Sequence, residues 1–174
     1  LDEEMKHYID VCKEKLGMVP NVILANASDK DRLKNFVNFY NRLMLKEGHL
    51  SKLEREMIAV VVSSCNKCFY CLIAHGAAVR QLSKNQYLGD ELMINYRSAS
   101  LNIRHKLMLD FSFKLTENPS KVDNSDRNIL REAGFSEEEI LEIVEVASFF
   151  NMSNRIAAGT DMRPNAEYHN MGRE

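Results

Sequence analysis

Three of the four cysteines lie close together in the stretch SSCNKCFYCLIAHG at positions 63–76. They are Cys65, Cys68 and Cys71, and His75 follows four residues after the last of them. On a helix, Cys68 and Cys71 have Cα atoms about 5 to 6 Å apart, within the range that a disulfide accepts. His75 lies on the same helical face as Cys71 and can exchange a proton with its sulfur. Two thiols and a neighbouring base are the groups that thiol redox chemistry needs.

The two thiols differ in their expected position along this helix. If the helix begins near Asn66, Cys68 lies in its first turn, where unpaired backbone N–H groups and the helix dipole stabilise a thiolate. Helix position alone therefore makes Cys68 the more acidic thiol of the pair.

Zinc binding is the main chemical alternative. Cys65, Cys68, Cys71 and His75 have the residue types of a zinc ligand set. The last three, however, span only about 60° of the helix surface, so they form a row and do not surround an ion. The other histidines are scattered singly along the chain. Redox chemistry is favoured, and neither a bound metal nor a bound cofactor is expected. Three buried cysteines without a function remain a further alternative.

Hydrophobic periodicity predicts α-helices along nearly the whole chain and no run of alternating β-strands. The pattern is clearest over residues 29–47, which precede Gly48 as a stop signal. With 174 residues, 45% of them hydrophobic, the chain has the size of one domain that needs no disulfide or structural metal. The sequence therefore predicts an all-α fold with a single domain over residues 1–174. From about Met162 we expect a polar C-terminal arm that is extended or disordered.

A break between two helices is expected just before the cysteine pair. Ser51 and Glu54 have the spacing of a capping box, which predicts a helix from Ser51 to about Ser63. Residues 64–66 are poor helix formers and good capping residues. We expect a second helix to begin there and to continue to about Gln81.

Charge and hydropathy exclude several classes of function. The 23 basic and 25 acidic residues give a net charge of −2, which offers no general attraction to nucleic acid or anionic lipid. The longest apolar runs are far shorter than the roughly 20 residues of a membrane span. Crowded cysteines do not resemble the dispersed framework of a secreted disulfide protein, so a cytoplasmic protein is expected. No signal-peptide pattern is present, although a chain that begins with Leu1 leaves open a segment before it.

The spacing of Glu56, Cys68, Cys71 and His75 resembles the signature of the AhpD-like alkylhydroperoxidases, within the carboxymuconolactone decarboxylase superfamily. The stretches LGMVPNV, LSKLEREMIAVVVS and AGFSEEEILEIVEVASFFNMSNRIA are also similar to the peroxidase-related branch of that family. The resemblance implies an all-helical domain that assembles into homotrimers or homohexamers. It also implies a peroxidase (peroxiredoxin activity) that reduces hydrogen peroxide or organic hydroperoxides.

The resemblance also implies a role for each residue of the signature. Cys71 would attack the peroxide and become a sulfenic acid, and Cys68 would resolve it to a disulfide and face the reductant. Glu56 and His75 would form the proton relay that deprotonates Cys71. Electrons would come from an external dithiol, a lipoylated or thioredoxin-like partner protein. These roles conflict with the helix-position argument for Cys68, and we follow the family.

Several residues stand outside this assignment. The best-known members have a second histidine just before the peroxidatic cysteine, where this chain has Tyr70, a poorer proton carrier at neutral pH. Tyr70 is then either a relay or pocket residue or a packing residue. Cys65 is expected to be inert, with an alternative disulfide to Cys68 left open, and Cys12 to be an ordinary core residue. Glu56 can join the site only if the chain turns back after the predicted helix break.

Two other functions remain open beside the peroxidase. One is dithiol–disulfide exchange or redox sensing without significant peroxidase turnover. The other is a decarboxylase-like enzyme of the same superfamily, in which the cysteines are incidental.

Overall fold

The computed structural model describes residues 2–173, so Leu1 and Glu174 lie outside the described residues. Over that range the regular elements are helical and no β-strand is present, so the all-α prediction is confirmed. The α-helices are α1 (Glu3–Leu16), α2 (Asn21–Asn26), α3 (Lys30–Tyr40), α4 (Lys52–Cys65), α5 (Phe69–Ser83), α6 (Leu88–Asn95), α7 (Ile103–Glu117), α8 (Asn124–Glu132) and α9 (Glu137–Gly159). Shorter elements are a π-helical turn (Asn41–Leu45) and 3₁₀ turns (Tyr96–Ser98, Pro119–Lys121 and Ala166–His169). Within the described residues, no helix is both long and apolar enough to cross a membrane.

Helix α4 forms the centre of the main hydrophobic core. Its residues 57–62 are fully buried, because α5, α6, α7 and α9 all pack around it. A helix that is apolar on every side requires this kind of burial. The capping box predicted at its start is present: the Ser51 hydroxyl accepts from the Glu54 N–H, and the Glu54 carboxylate accepts from the Ser51 N–H at 2.8 Å.

The helix predicted over residues 29–47 is not regular to its end. Regular α-helix stops at Tyr40, and a wider π-helical turn follows over Asn41–Leu45. This turn keeps Leu43 and Met44 in the core, while the Asn41 side chain accepts a hydrogen bond from the Tyr8 hydroxyl at 3.2 Å. Periodicity alone does not distinguish such a turn from continuous α-helix.

A buried ion pair fixes the beginning of α4 against α9. The Arg55 guanidinium lies 3.0 Å from the Glu142 carboxylate and also donates to backbone carbonyls of the preceding segment, including that of Leu50. The second Glu142 oxygen accepts from the Leu50 N–H at 3.0 Å. Because both charged groups are hydrogen-bonded, their burial is tolerated. The pair thereby anchors the helix segment that carries Glu56.

Helices α5 and α6 touch backbone to backbone at Gly89. A Cβ atom at Gly89 would lie 2.5 Å from the carbonyl oxygen of Gly76 in α5, a distance that real Cβ atoms do not adopt. Only glycine allows this approach, so α6 is held directly against the helix that contains Cys71 and His75.

The C-terminal arm, residues 162–173, packs onto the body of the protein, unlike the extended or disordered arm expected from its polar sequence. Arg80 donates from Nε to the Met171 carbonyl and from Nη2 to the Tyr168 carbonyl, both at 2.9 Å. Arg173 pairs with Asp90 at 2.8 Å. The arm is ordered by side chains far away in the sequence, which a search for periodicity does not detect.

Candidate active site

A tight turn connects α4 to α5 and reverses the chain. Helix α4 ends at Cys65, and Lys67 adopts a left-handed conformation with φ of 56°. The Cys68 N–H donates to the Ser63 carbonyl at 3.0 Å and the Lys67 N–H donates to the Ser64 carbonyl at 3.3 Å, the pattern of a Schellman motif. The expected break is therefore present, slightly later than residues 64–66. Cys68 is the N-cap residue of α5, not a member of its first turn.

This reversal brings Glu56 of α4 to His75 of α5. Oε2 of Glu56 lies 2.6 Å from Nδ1 of His75, and the two residues are only 6% and 8% exposed. Glu56 is therefore buried beside His75, and the chain turns back as its place in the site requires. An ionised carboxylate only accepts hydrogen bonds, so Nδ1 carries the proton and Nε2 is left as the basic nitrogen. Phe150 packs edge-on against the imidazole with ring centroids 4.5 Å apart and helps to fix its orientation.

Cys68 and Cys71 form a buried thiol pair, 2% and 1% exposed. The Cys71 thiol donates to the Cys68 sulfur and is the largest cause that lowers the pKa of Cys68 to about 7, against the opposing effect of burial. The same contact with Cys68, together with burial, raises the pKa of Cys71. The reduced pair therefore loses one proton readily and resists losing a second.

Two buried polar residues that the sequence did not point to lie next to the thiol pair. Ser63 and Asn154 both act on Cys71 as hydrogen-bond partners that favour its thiolate. Nδ2 of Asn154 donates to the Ser63 hydroxyl oxygen at 2.9 Å, which leaves the Ser63 proton free to be donated to the sulfur. Asn66, in the turn, donates to Oδ1 of Asn154 at 3.0 Å. The only signal in the sequence is an asparagine within the largely apolar α9.

Tyr70 is held by packing and hydrogen bonds on the side of α2 and the C-terminal arm. Its hydroxyl accepts from the Val22 N–H at 3.3 Å and donates to the hydroxyl of Tyr168. Burial raises the pKa of Tyr70 well above its ordinary value. The Tyr70 hydroxyl is thus hydrogen-bonded both as an acceptor and as a donor, and it does not ionise at neutral pH.

The other two cysteines have different surroundings. Cys65 is half-buried in the last turn of α4, where burial raises its pKa and the charged neighbours are Glu117, Lys67 and Arg155. Cys12 is buried in α1, and burial raises its pKa as well. Across residues 2–173, no group of three or more His, Cys, Asp or Glu side chains is arranged to hold a metal ion.

A cavity of about 780 Å³ opens beside Cys71, and His75 and Glu56 also line it. Cys68 does not line it. Most of the other lining side chains are apolar or aromatic, among them Val11, Val22, Ile23, Phe36, Phe149 and Phe150. A molecule in this cavity therefore meets Cys71 and the Glu56–His75 pair.

Known proteins resemble this chain in sequence and in fold. The model of the carboxymuconolactone decarboxylase family matches residues 31–86, which include Glu56 and the cysteine pair. An uncharacterised peroxidase-related protein from a Silicibacter species is 55% identical, with 99% of this chain and 91% of that chain covered and a TM-score of 0.97. An uncharacterised peroxidase-related protein from Ralstonia eutropha, described as an alkylhydroperoxidase AhpD core, is 40% identical, with 100% and 92% covered and a TM-score of 0.96.

A more distant structure shares the fold alone. The debrominase Bmp8 is 19% identical, with 97% of this chain and 90% of that chain covered and a TM-score of 0.81. Among curated proteins, no match was found. The resemblance noted in the sequence is confirmed by the two closer structures, and the chain belongs to the AhpD-like members of the carboxymuconolactone decarboxylase superfamily.

Proposed function

We propose that this protein is a thiol-dependent peroxidase that reduces hydroperoxides through a Cys68–Cys71 dithiol/disulfide cycle. The observation that carries the proposal is the placement of Cys71 on the wall of a cavity that also contains the 2.6 Å Glu56–His75 pair. A nucleophile, a base and a carboxylate that orients the base are thereby exposed to the same bound molecule. Family membership and the peroxidase-related neighbours support the same reaction.

The first step oxidises Cys71. The cysteine pair gives one proton to Nε2 of His75, whose protonated form Glu56 stabilises through Nδ1, and the proton that stays on the pair is held by Cys68 when Cys71 reacts. The thiolate attacks the outer oxygen of the hydroperoxide, an S–O bond forms and the O–O bond breaks. The leaving alkoxide takes the proton from His75, so that one thiol and one hydroperoxide give a sulfenic acid and an alcohol.

The low pKa of Cys68 is compatible with this role of Cys71. The pair holds a single negative charge, and the hydrogen bond from Cys71 to Cys68 is the path along which the proton can move between the sulfurs. Access then decides which sulfur reacts, because Cys71 lines the cavity and Cys68 does not.

The second step forms the disulfide. The Cys68 sulfur attacks the sulfenic sulfur of Cys71 as Cys68 gives up its proton, the S–O bond breaks, and the hydroxide takes that proton and leaves as water. An external dithiol then reduces the disulfide and becomes a disulfide itself, which restores both thiols. A lipoylated or thioredoxin-like protein is the proposed donor, and assembly into a homotrimer or homohexamer stays a prediction.

The test is a rapid-mixing reaction of the reduced protein with hydroperoxide. We expect two thiols to be consumed per chain and peptide mass spectrometry to find a Cys68–Cys71 disulfide. Cys68→Ser should stop at a sulfenic acid that dimedone traps on Cys71, and Cys65→Ser should behave like the unmodified protein. If Cys71→Ser consumes hydroperoxide as fast as the unmodified protein, the proposal is wrong.

Dithiol–disulfide exchange without peroxidase turnover is the second candidate. The observation that favours it is Tyr70, which is engaged by Val22 and Tyr168 and replaces a proton-carrying histidine. This function predicts rapid exchange with a protein dithiol, together with a hydroperoxide reaction no faster than that of an ordinary thiol. The same rapid-mixing experiment separates the two functions.

A further inference from the structure

We propose that Ser63 and Asn154 shift the equilibrium of the Cys68–Cys71 pair toward its dithiol form, so that the disulfide is a strong oxidant of a dithiol partner. The inference rests on the proposed function for the disulfide itself and adds what determines the reduction potential of that disulfide. It comes from a buried chain of hydrogen bonds that begins in α9 and ends at the sulfur of Cys71.

Ser63 and Asn154 are polar side chains in an otherwise apolar part of the core. Ser63 of α4 is 0% exposed and Asn154 of α9 is 1% exposed. Ala157, one turn after Asn154, belongs to the hydrophobic cluster that contains both cysteines. Because neither polar side chain reaches solvent, its hydrogens need acceptors inside the protein. The Ser63 hydroxyl acts on the sulfur of Cys71, and the Asn154 amide acts on both sulfurs.

The direction of these hydrogen bonds is fixed at a backbone carbonyl of α9. The Ala147 carbonyl can only accept, and Nδ2 of Asn151 donates to it at 3.0 Å. Oδ1 of Asn151 is therefore the acceptor for Nδ2 of Asn66, also at 3.0 Å. The same Nδ2 of Asn66 donates to Oδ1 of Asn154 at 3.0 Å. The Asn154 oxygen thus faces the turn, and its NH₂ group faces Ser63.

The chain ends in hydrogen-bond donors at the thiol pair. Nδ2 of Asn154 donates to the Ser63 hydroxyl oxygen at 2.9 Å, and the Ser63 hydrogen is left for Cys71. A reversed Asn154 amide would place its NH₂ group against the NH₂ group of Asn66, so the donors cannot simply turn away. They stay in place in both oxidation states of the pair.

The two oxidation states use these donors differently. A thiolate is a charged acceptor and gains strongly from them, whereas a disulfide sulfur carries no charge and is a weak acceptor. Oxidation therefore leaves buried donors without a good acceptor, which costs free energy. A protein that stabilises its dithiol form in this way has a more oxidising disulfide.

Neutral donors suit this role because they do not titrate. The thiol–thiol contact and burial have the largest effects on the pKa values of the pair, and the hydrogen bonds from the two donors lower these pKa values beside them. The titratable groups that face the pair are His75, whose charge also lowers the pKa of Cys68, and Tyr70, which stays protonated. The two donors therefore act at every pH at which the pair carries its negative charge.

Electrons reach the pair by thiol–disulfide exchange. A thiolate of the partner dithiol attacks the disulfide and forms a mixed disulfide, which the second partner thiol resolves. The Cys68–Cys71 S–S bond breaks, an S–S bond forms in the partner, and two electrons pass to the pair. Below about pH 7 the pair keeps both protons of the partner. Above that pH one proton is released, because the pair then holds a single negative charge.

The test equilibrates the protein with mixtures of reduced and oxidised glutathione (GSH and GSSG), in a Cys65→Ser background so that Cys68 has no other partner in α4. Acid quenching, alkylation and mass spectrometry measure the oxidised fraction, approached from both directions. In Ser63→Ala we expect half-oxidation at a [GSH]²/[GSSG] ratio about tenfold higher than in the background protein, which is a potential about 30 mV lower.

Ser112→Ala is the matched control. Ser112 is also 0% exposed, but its hydroxyl donates to the Met108 carbonyl at 2.8 Å and has no part in the shifts of either thiol. Its ratio should equal that of the background protein. Asn154→Ala should shift the ratio in the same direction as Ser63→Ala, and it keeps the test decisive if Ser63→Ala does not fold.

The pH dependence separates a donor to the thiolate from a merely structural role. In the background protein, reduction by glutathione should become about tenfold more favourable per pH unit between about pH 7 and 8, because the pair then takes up one proton fewer. Ser63→Ala should move the start of this rise to higher pH, whereas Ser112→Ala should not.

Equal ratios in Ser63→Ala, Asn154→Ala and the background protein, or an equal shift in Ser112→Ala, overturn the inference even if hydroperoxides are consumed. The expected shifts in a protein that consumes no hydroperoxide overturn the peroxidase instead and leave the inference standing, since dithiol–disulfide exchange uses the same pair. A pair that forms no disulfide at any ratio overturns both.

Discussion

Nδ1 of His75 lies 2.6 Å from Oε2 of Glu56, although the two residues belong to different helices and are nineteen positions apart in the sequence. The contact depends on the turn at Asn66 and Lys67, which sends α5 back along α4. It gives the imidazole one fixed tautomer and one free nitrogen. Replacement of the Glu56 carboxylate therefore tests the proposed relay.

Glu56→Gln is expected to slow the reaction of Cys71 with hydroperoxide at neutral pH by about 10²-fold, the lower end of what general acid–base groups contribute. The amide cannot stabilise a protonated His75, so the pH profile of Cys71 alkylation should move upward. Glu47→Gln, at an exposed glutamate, is the control and should change neither quantity. An unchanged alkylation profile in Glu56→Gln would remove Glu56 from the relay.

The cysteine pair is expected to lose its first proton near pH 7, as ultraviolet thiolate absorbance can measure. The pKa of Cys68 in the fold lies below its ordinary value of 9.0, so the thiolate stabilises the reduced protein fully above pH 9. That stability is lost as the pH falls through about 7. Cys71→Ala should raise the midpoint, because it removes the hydrogen-bond donor that is the main cause of the lowered pKa of Cys68. A midpoint near 9 in the unmodified protein would contradict the prediction.

Asn154→Ala is expected to slow the hydroperoxide reaction at neutral pH and to restore part of the rate at higher pH. The change removes a group that favours the Cys71 thiolate and also removes the hydrogen bonds of Asn154 with Ser63 and Asn66, at a cost of about 1 to 3 kcal/mol in unfolding free energy. Asn151→Ala is the control, since Asn151 also accepts from Asn66 at 3.0 Å but has no part in the shifts of either thiol. Equal pH profiles for the two variants would show that Asn154 acts on stability alone.

Tyr70→Phe is expected to leave the hydroperoxide reaction and its pH profile unchanged. The hydroxyl is engaged by Val22 and Tyr168 and does not ionise at neutral pH. Its removal should lower the unfolding free energy by about 1 kcal/mol, measured by urea denaturation. A slower reaction with an altered pH profile in a folded variant would instead make Tyr70 part of the relay.

Gly89→Ala is expected to destabilise the protein by about 1 to 3 kcal/mol, because its Cβ would meet the Gly76 carbonyl oxygen at 2.5 Å. Gly159→Ala is the matched control: Gly159 also lies in a helix, and nothing lies within 4 Å of an added Cβ. That change should be neutral or stabilise by up to about 1 kcal/mol. Similar urea midpoints for the two variants would contradict the close helix contact.

Local signals in the sequence were sufficient to predict much of the fold. The Ser51–Glu54 capping box and the poor helix formers before Cys68 define a helix start and a helix break through interactions between near neighbours. The placement of Cys71 and His75 on one face follows from helical geometry, whereas Cys68 lies at the N-cap, outside the regular helix. Glu56 could be placed in the site only on the condition that α5 runs back along α4. The sequence does not show the direction in which the chain leaves the turn between these helices.

The remaining features depend on packing between distant segments. Asn154 reaches Ser63 across 91 positions and Arg80 reaches Met171 across another 91, and neither pairing has a local pattern. Cys68 has the lower pKa of the pair, but the cause is the hydrogen bond from Cys71 and not the place in the first helical turn on which the prediction rested.

The C-terminal arm forms part of the cavity wall beside Cys71. Tyr168 and Met171 of the arm line this cavity, and Arg80 of α5 donates hydrogen bonds to the backbone carbonyls of the same two residues. Because a single arginine side chain fixes both residues, movement of the arm away from Arg80 would change the shape of the cavity. The size of the molecule that can lie against Cys71 is therefore linked to a contact between segments 91 positions apart in the sequence.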